Sequence, residues 1–153
     1  MNLVPLKSKD FSKELENYNF EVSKKDVIQL MDKKIILINK VPSFFYFENK
    51  LVPTLKLLLQ KDLLKQVFID QGAIKYIING ADVMRPGIVE FDSNIEKNDF
   101  VVIKDIQHKK PLAVGISLFS SEEFKTLSNG NGRAIKSIHF IGDDLWKISI
   151  FPS

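Results

Sequence analysis

One short punctuated run constrains this chain more than any other feature: Asp70-Gln71-Gly72-Ala73, then Gly80-Ala81, then Arg85-Pro86-Gly87. Val67-Phe68-Ile69 ahead of it reads as the end of a strand. Ile74, Ile77 and Ile78 mark the face of a short helix, and Gly80 stands where the residue beyond its C-cap belongs. Val83–Met84 continuing to Ile88–Phe91 reads as the next strand. The grammar is strand, short helix, glycine turn, strand, with backbone exposed at the turn. Such a turn is able to hold a nucleic-acid backbone through main-chain groups.

The run carries the candidate RNA contacts: Gly72, Ala73, Lys75, Gly80, Ala81, Met84, Arg85, Pro86 and Gly87. Gly72 and Ala73 open the helix, so their N–H groups are among its unpaired donors. Either a phosphate takes them or the Asp70 carboxylate caps them. Gly80-Ala81 permits close approach of a sugar or strand. Arg85 interrupts an otherwise apolar strand; it either pairs with phosphate, stacks on a base, or is a solvated charge. Lys75 supplies a point charge on the same unit or is likewise solvated. Met84 and Ile88 offer apolar surface to a terminal base, or pack in the core.

Composition narrows the classes. The 153 residues suit one domain or two small ones, and 44% hydrophobic with 27% charged residues is the balance of a soluble globular protein. Twelve Phe residues supply much of the core. Without cysteine there are no disulfides, thiolate nucleophiles or Cys-type zinc sites, and a cytoplasmic home is expected. The start Met1-Asn2-Leu3-Val4-Pro5 does not read as a signal peptide, and apolar runs such as Ile35 to Ile38 are too short to cross a bilayer. His108 sits in a polar turn and His139 on a strand; two isolated histidines make no metal site, and no cofactor is expected. The net charge is +3, but residues 1–66 hold 12 Lys against 8 acidic residues, and residues 67–153 hold 10 basic against 11 acidic. RNA bound by the C-terminal part is therefore held by a local site, not by bulk charge.

Phe11, Leu15 and Tyr18 lie at helical spacing, giving an amphipathic helix over 9–18 capped by Ser8 or Asp10. Strands follow at Val27–Met31, Lys34–Asn39 and Ser43–Phe47, with Asp32-Lys33 and Lys40-Val41-Pro42 as turns. Ser23-Lys24-Lys25-Asp26 either opens a helix as a capping box or precedes a strand. Within Phe44-Phe45-Tyr46-Phe47, alternation hides two or three of the four rings in a core, or part of the stripe faces a partner. Pro53 suits the first turn of a helix whose stripe is Leu55, Leu58, Leu59 and Leu63. A boundary at about 64–67 divides the chain into 1–66 and 67–153, and no Gly/Ser linker separates them, so rigid docking is expected. Beyond it, strands are expected at Phe100–Ile106, Leu112–Phe119, Ile135–Phe140 and Trp146–Ile150. Ser120-Ser121-Glu122-Glu123 forms a capping box, and Asn129-Gly130-Asn131-Gly132 ends that helix. Trp146 reads as core, with RNA stacking as its alternative.

Asp70, Gly72, Ala73, Gly80, Ala81, Val83, Pro86, Gly87 and Ile88 together resemble a PUA domain, the RNA-binding module named for pseudouridine synthases and archaeosine transglycosylases. Pro111-Leu112-Ala113-Val114-Gly115 is similar to the strand leading out of its second hairpin. Pro53-Thr54-Leu55-Lys56-Leu57-Leu58, Gly72 to Tyr76, and Ile138-His139-Phe140 followed by Asp143, Leu145 and Trp146 resemble the small translation-associated PUA proteins related to the malignant T-cell amplified sequence protein and ligatin, of archaeal type. The resemblance covers residues 50–150; 1–49 fit by size and pattern as a pre-PUA domain. It implies an α+β fold, with a small N-terminal α/β pre-PUA domain and a PUA pseudo-barrel of mixed strands with two short helices. It also implies a non-catalytic RNA-binding protein of translation (initiation, reinitiation or recycling) that meets the tRNA acceptor end or ribosomal RNA. The small ribosomal subunit and an initiation-factor-like protein are its implied partners. The alternatives are a PUA-anchored accessory or enzyme of RNA modification, and a protein-interaction module in a ribosome-associated complex. The N-terminal part offers no activated carboxylate, thiol or cofactor loop for an enzyme.

Overall fold

A computed structural model describes residues 2–127 and 132–149. By compactness the chain divides into two units, Met1–Leu63 with Lys147–Ser153, and Leu64–Trp146. The expected division at 66/67 placed everything after it in one domain; here the stretch from Lys147 groups with the first unit, where Lys56 Nζ donates to Ile148 O at 3.4 Å.

The first unit runs β1 (Leu3–Leu6), α1 (Ser8–Glu14), β2 (Ile28–Met31), β3 (Ile35–Ile38), β4 (Val41–Phe47), β5 (Lys50–Pro53) and α2 (Leu55–Leu58). Its five strands form an antiparallel meander in chain order. The turns Asp32-Lys33, Asn39-Lys40 and Glu48-Asn49 all take positive φ, the left-handed two-residue geometry whose twist matches that of the strands it joins. Val41 and Pro42, expected in a turn, therefore belong to β4. The three expected strands are flanked by two more, β1 and β5. Each is four residues long with a proline, which hides the strand signal. Ser23 to Asp26 forms a local turn closed by Asp26 Oδ2 on Ser23 N, not a helix start.

The helices of this unit are shorter than their patterns suggest. α1 stops at Glu14, and Lys7, which makes no side-chain cap bond, holds the N-cap position in place of Ser8 or Asp10. Pro53 closes β5; the cap of α2 is Thr54, whose Oγ1 accepts from Leu57 N. One turn of helix buries Leu55, Leu57 and Leu58 and leaves Leu59 exposed, so the expected four-leucine stripe does not form. The core gathers on Phe44, with Phe11, Tyr18 and Phe20 packed around its ring at 5.5–5.8 Å. In the aromatic stripe Phe44 and Phe45 are buried and Tyr46 and Phe47 half-buried.

The second unit runs β6 (Lys65–Ile69), a 3-10 turn (Gln71–Ala73) into α3 (Ile74–Ile77), β7 (Val83–Met84), a second 3-10 turn (Arg85–Gly87), β8 (Ile88–Phe91), β9 (Phe100–Asp105), β10 (Pro111–Ser117), α4 (Ser121–Thr126) and β11 (Arg133–Phe140). The strand order is β7-β11-β10-β9-β6-β8, with β6 and β9 parallel and the other pairs antiparallel. β7 and β8 thus sit at opposite edges of a six-stranded sheet, yet three residues join them. A flat sheet of six strands spans about 24 Å between its edge strands, well beyond the reach of that link. The sheet must curl until its edges meet, which makes it barrel-like. Val83 to Phe91 is accordingly two strands broken by a turn, not the single strand its apolar residues suggest.

Val67, Ile69, Ile77, Val83, Val101, Ile103, Phe124 and Ile135 fill the curl. Gly115 lies at the β10–β11 bulge, where a Cβ would sit 2.5 Å from Ile135 Cγ2 and 2.7 Å from Lys136 O. The expected capping box is complete: Ser120 Oγ accepts from Glu123 N, and Glu123 Oε1 from Ser120 N. Of the expected helix terminator, 129–131 lie outside the described residues. Trp146 is half-buried in a turn, and residues 147–149 form no strand; Ile150 lies outside the described residues. Among the described residues no helix is long and apolar enough to cross a membrane.

Candidate functional site

An open cleft of about 750 Å³ lies in the second unit. It is lined by Asp70, Gly72, Ala73, Tyr76, Ile77, Ala81, Asp82, Val83, Met84, Pro86, Gly87 and Arg133. The β6–α3 corner forms one wall. Asp70 caps it, with Oδ1 accepting from Ala73 N at 3.1 Å, so the carboxylate takes the donor offered as an alternative to phosphate. Asp70 N donates to Gly87 O, tying this wall to the turn that joins the sheet edges. The other wall is β7 with β11, where Arg133 stands opposite Met84 in the ladder. Asp82 joins the strands: Oδ1 accepts from Ser137 N at 2.8 Å, and Oδ2 from Arg133 Nη1 at 3.1 Å.

The surface of the cleft is mainly apolar. Tyr76 is 58% exposed and Met84 46%, large values for side chains that a core would otherwise claim. Among the described residues that line it, Arg133 alone is cationic, and Asp82 pairs with it. Phosphate therefore finds little charge inside the cleft, whereas a flat base finds an aromatic ring, a thioether and a proline.

Six of the nine expected contact residues meet here: Gly72, Ala73, Ala81, Met84, Pro86 and Gly87. Lys75 stands outside the lining, exposed, with Nζ 5.1 Å from the centroid of the Tyr76 ring. Gly80 has φ +91°, and a Cβ there would lie 2.9 Å from the Phe140 ring; glycine is required by conformation and by packing. The amides of Gly80 and Ala81 donate to Ile77 O and Tyr76 O, so that bend does not present open donors.

Arg85 departs most from expectation. Its side chain turns away from the cleft, Nε donating to Phe124 O at 3.0 Å and Nη1 to Ile88 O at 3.1 Å. The guanidinium also lies 5.7 Å from the centroid of Phe91 and 5.9 Å from that of Phe124. It interrupts an apolar stretch because it closes the curled sheet from inside. Ile88 is likewise buried, as the core alternative held.

Asp70, expected only as a cap, and Tyr76, Ile77, Asp82, Val83 and Arg133 also line the cleft, although none was among the expected contacts. Tyr76 had a signal: it lies off the Ile74–Ile77 face, so a large aromatic is left facing outward. Arg133 had none, being brought in only by the β7–β11 pairing. On β11, His139 is 1% exposed, with Nδ1 2.9 Å from Asp143 Oδ2. Burial alone would raise the Asp143 carboxyl; bonds from His139 and from the Trp146 and Phe140 amides outweigh it and hold the group below its ordinary range.

Comparison with known proteins accounts for both units. The PUA domain family matches residues 65–141, and a domain of unknown function (DUF1947) matches residues 6–61. An uncharacterised Methanocaldococcus jannaschii protein is 44% identical over 90% of this chain and 89% of its own. Translation machinery-associated protein 20 of Saccharomyces cerevisiae is 31% identical over 84% of this chain and 76% of its own. The Danio rerio protein malignant T-cell-amplified sequence 1 is 28% identical over 77% of this chain and 67% of its own. Among solved structures, a hypothetical protein of Pyrococcus horikoshii superposes with a TM-score of 0.81 at 30% identity, covering 97% of this chain and 99% of that one. A PUA domain protein of Aeropyrum pernix superposes with a TM-score of 0.80 at 26% identity, covering 95% and 89%. With a PUA match over half its length and relatives that span both units, the chain belongs to the PUA-domain family, alongside translation machinery-associated protein 20 and malignant T-cell-amplified sequence 1.

Proposed function

We propose that this protein is a non-catalytic RNA-binding protein of the cytoplasmic translation machinery, and that it holds unpaired nucleotides in the cleft of its second unit. One observation carries the reading: the residues that match the PUA domain build an open apolar cleft with Tyr76 and Met84 exposed in it. Sequence-specific recognition of RNA works largely through splayed bases stacked on such surfaces. The names of the relatives support a role in translation, and the tRNA acceptor end or a single-stranded segment of ribosomal RNA on the small subunit is the ligand that suits such a cleft. Lys75, beside Tyr76, is positioned to meet the phosphate that follows a bound base. An initiation-factor-like protein partner belongs to the same proposal.

Fluorescence titration of tRNA into the protein tests it. Binding is expected, with Tyr76→Ala weakening it about five- to hundredfold, the range of one lost base stack, and Met84→Ala weakening it less. The slope of log affinity against log salt is expected to be shallow, equivalent to one or two phosphate contacts at roughly 0.7 each on a single strand. Absence of binding by folded protein at low salt refutes the reading.

A further inference from the structure

The lysine excess of residues 1–66 takes no part in the cleft, and the first unit has a place where it gathers. A groove of about 250 Å³ lies there. Phe20, Asn39 and Val41 stand on its lining together with Lys56, Gln60 and Lys61 of α2 and the turn beyond it, and no acidic residue lines it. Lys61 Nζ lies 5.3 Å from the centroid of the Phe20 ring, which keeps the ammonium at the groove. The Ser23–Asp26 turn is tied to the Asn39-Lys40 turn by three bonds: Asn39 N to Val27 O at 2.8 Å, Val27 N to Asn39 Oδ1 at 2.9 Å, and Asn39 Nδ2 to Asp26 Oδ1 at 2.9 Å. That knot holds the exposed Lys24 and Lys25 near the exposed Lys40, which stands between two lining residues. Asp26, the acid of this corner, has one oxygen on Ser23 N and the other on Asn39 Nδ2. Among the described residues, none of Lys24, Lys25, Lys40 and Lys61 pairs with a carboxylate. Like charges gathered without counter-charges repel one another, a cost to the fold that an anionic ligand offsets.

We infer that this groove of the first unit is a second RNA site, one that grips the phosphate backbone of a paired segment. It goes beyond the cleft, which takes unpaired nucleotides. The groove offers no platform for a splayed base: the Phe20 ring is packed edge-on against Phe44 at 5.5 Å and covered by Lys61. Lysine ammonium groups around a concave wall recognise phosphate as point charges and read no sequence. Paired RNA presents phosphates in a regular array and is bound mainly through its shape and backbone. The choice of RNA among polyanions rests on the RNA-binding reading of the cleft; an anionic bilayer is flat and leaves a concave wall unfilled.

The test is fluorescence anisotropy of the full chain with a blunt-ended, mixed-sequence RNA duplex of about twelve base pairs, which has no unpaired nucleotide for the cleft. Binding is expected, and Lys40→Gln with Lys61→Gln is expected to weaken it about tenfold or more at about 0.1 M salt, flattening the slope of log affinity against log salt by roughly 1 per lysine. Lys33→Gln with Lys34→Gln removes the same charge at the opposite end of β3 and is expected to leave duplex binding within about twofold. Tyr76→Ala is expected to leave it unchanged, and the groove variants to leave a single-stranded hexamer bound as in wild type. All four lysines are exposed, so the variants are expected to fold, as circular dichroism checks. No binding of the duplex by the wild-type protein overturns the inference, while the hexamer decides the cleft reading separately. Equal losses from the two lysine pairs overturn it as well, since bulk charge then suffices. Retention of the protein on vesicles containing phosphatidylserine, dependent on Lys40 and Lys61 and without duplex binding, assigns the groove to a membrane surface instead and also overturns it.

Discussion

Arg85 and Arg133 show how little a residue's type says about where its charge is spent. Arg85 sits in the motif and faces inward to two carbonyls and two phenyl rings; Arg133 lies 48 positions later and reaches the cleft. Arg85→Lys keeps a positive charge but loses the planar fork that serves both carbonyls. It is expected to destabilise the protein by about 1–3 kcal/mol in urea denaturation, the cost of a partly buried acceptor left unmade. Tyr76→Ala, by contrast, removes an exposed ring and should leave the urea midpoint nearly unchanged while weakening RNA, separating binding from folding at one residue. Gly80→Ala forces a Cβ into Phe140 at positive φ, and a loss of about 1–3 kcal/mol is expected from the same denaturation series.

Among the elements, the β10–β11 bulge and the α4 cap carry the sharpest expectations. Gly115→Ala drives a methyl into Ile135 and the Lys136 carbonyl, backbone that cannot yield without disturbing the ladder. The expected cost is about 2–3 kcal/mol, read as a lowered melting temperature with an unchanged circular dichroism spectrum in the cold. Ser120→Ala removes one half of the capping box and should cost about 1 kcal/mol. The capping box was legible because it is local, four consecutive residues whose bonds depend on nothing else. α2 was over-extended because a leucine repeat has helical period whether or not backbone continues as helix beyond one turn.

For the whole molecule, two of the shifted groups, Asp143 and Tyr18, mark the acid and alkaline limbs of the stability profile. The Asp143 carboxyl is depressed in the fold, so its contribution is present above its unfolded value of 3.8 and is lost as pH falls through the lower folded value. Asp143→Asn should therefore flatten the acid limb of the stability profile below about pH 4. Burial raises Tyr18 to about 12, and its hydroxyl donates to Leu51 O. Its contribution is complete below the ordinary value of 10.0 and is lost as pH rises toward 12. The stability difference between wild type and Tyr18→Phe should be constant up to pH 10 and shrink above it; a difference independent of pH would contradict the assignment.

The sequence by itself determined whatever depends on neighbours along the chain. These were the turn at Asp32-Lys33, the capping box, the helix after Asp70 and the strands with unbroken apolar runs. Its motif spacing also sufficed to point to the PUA family. Only the tertiary structure decided which residues face the cleft. β7 and β8 are two residues and four residues long, and their separation to opposite edges is invisible until the sheet closes. That closure turns Arg85 inward, brings Arg133 beside Met84 and leaves Tyr76 uncovered. The physical reason is that strand pairing joins residues far apart in sequence, and hydrophobic pattern records that a side chain is apolar without recording which surface will cover it.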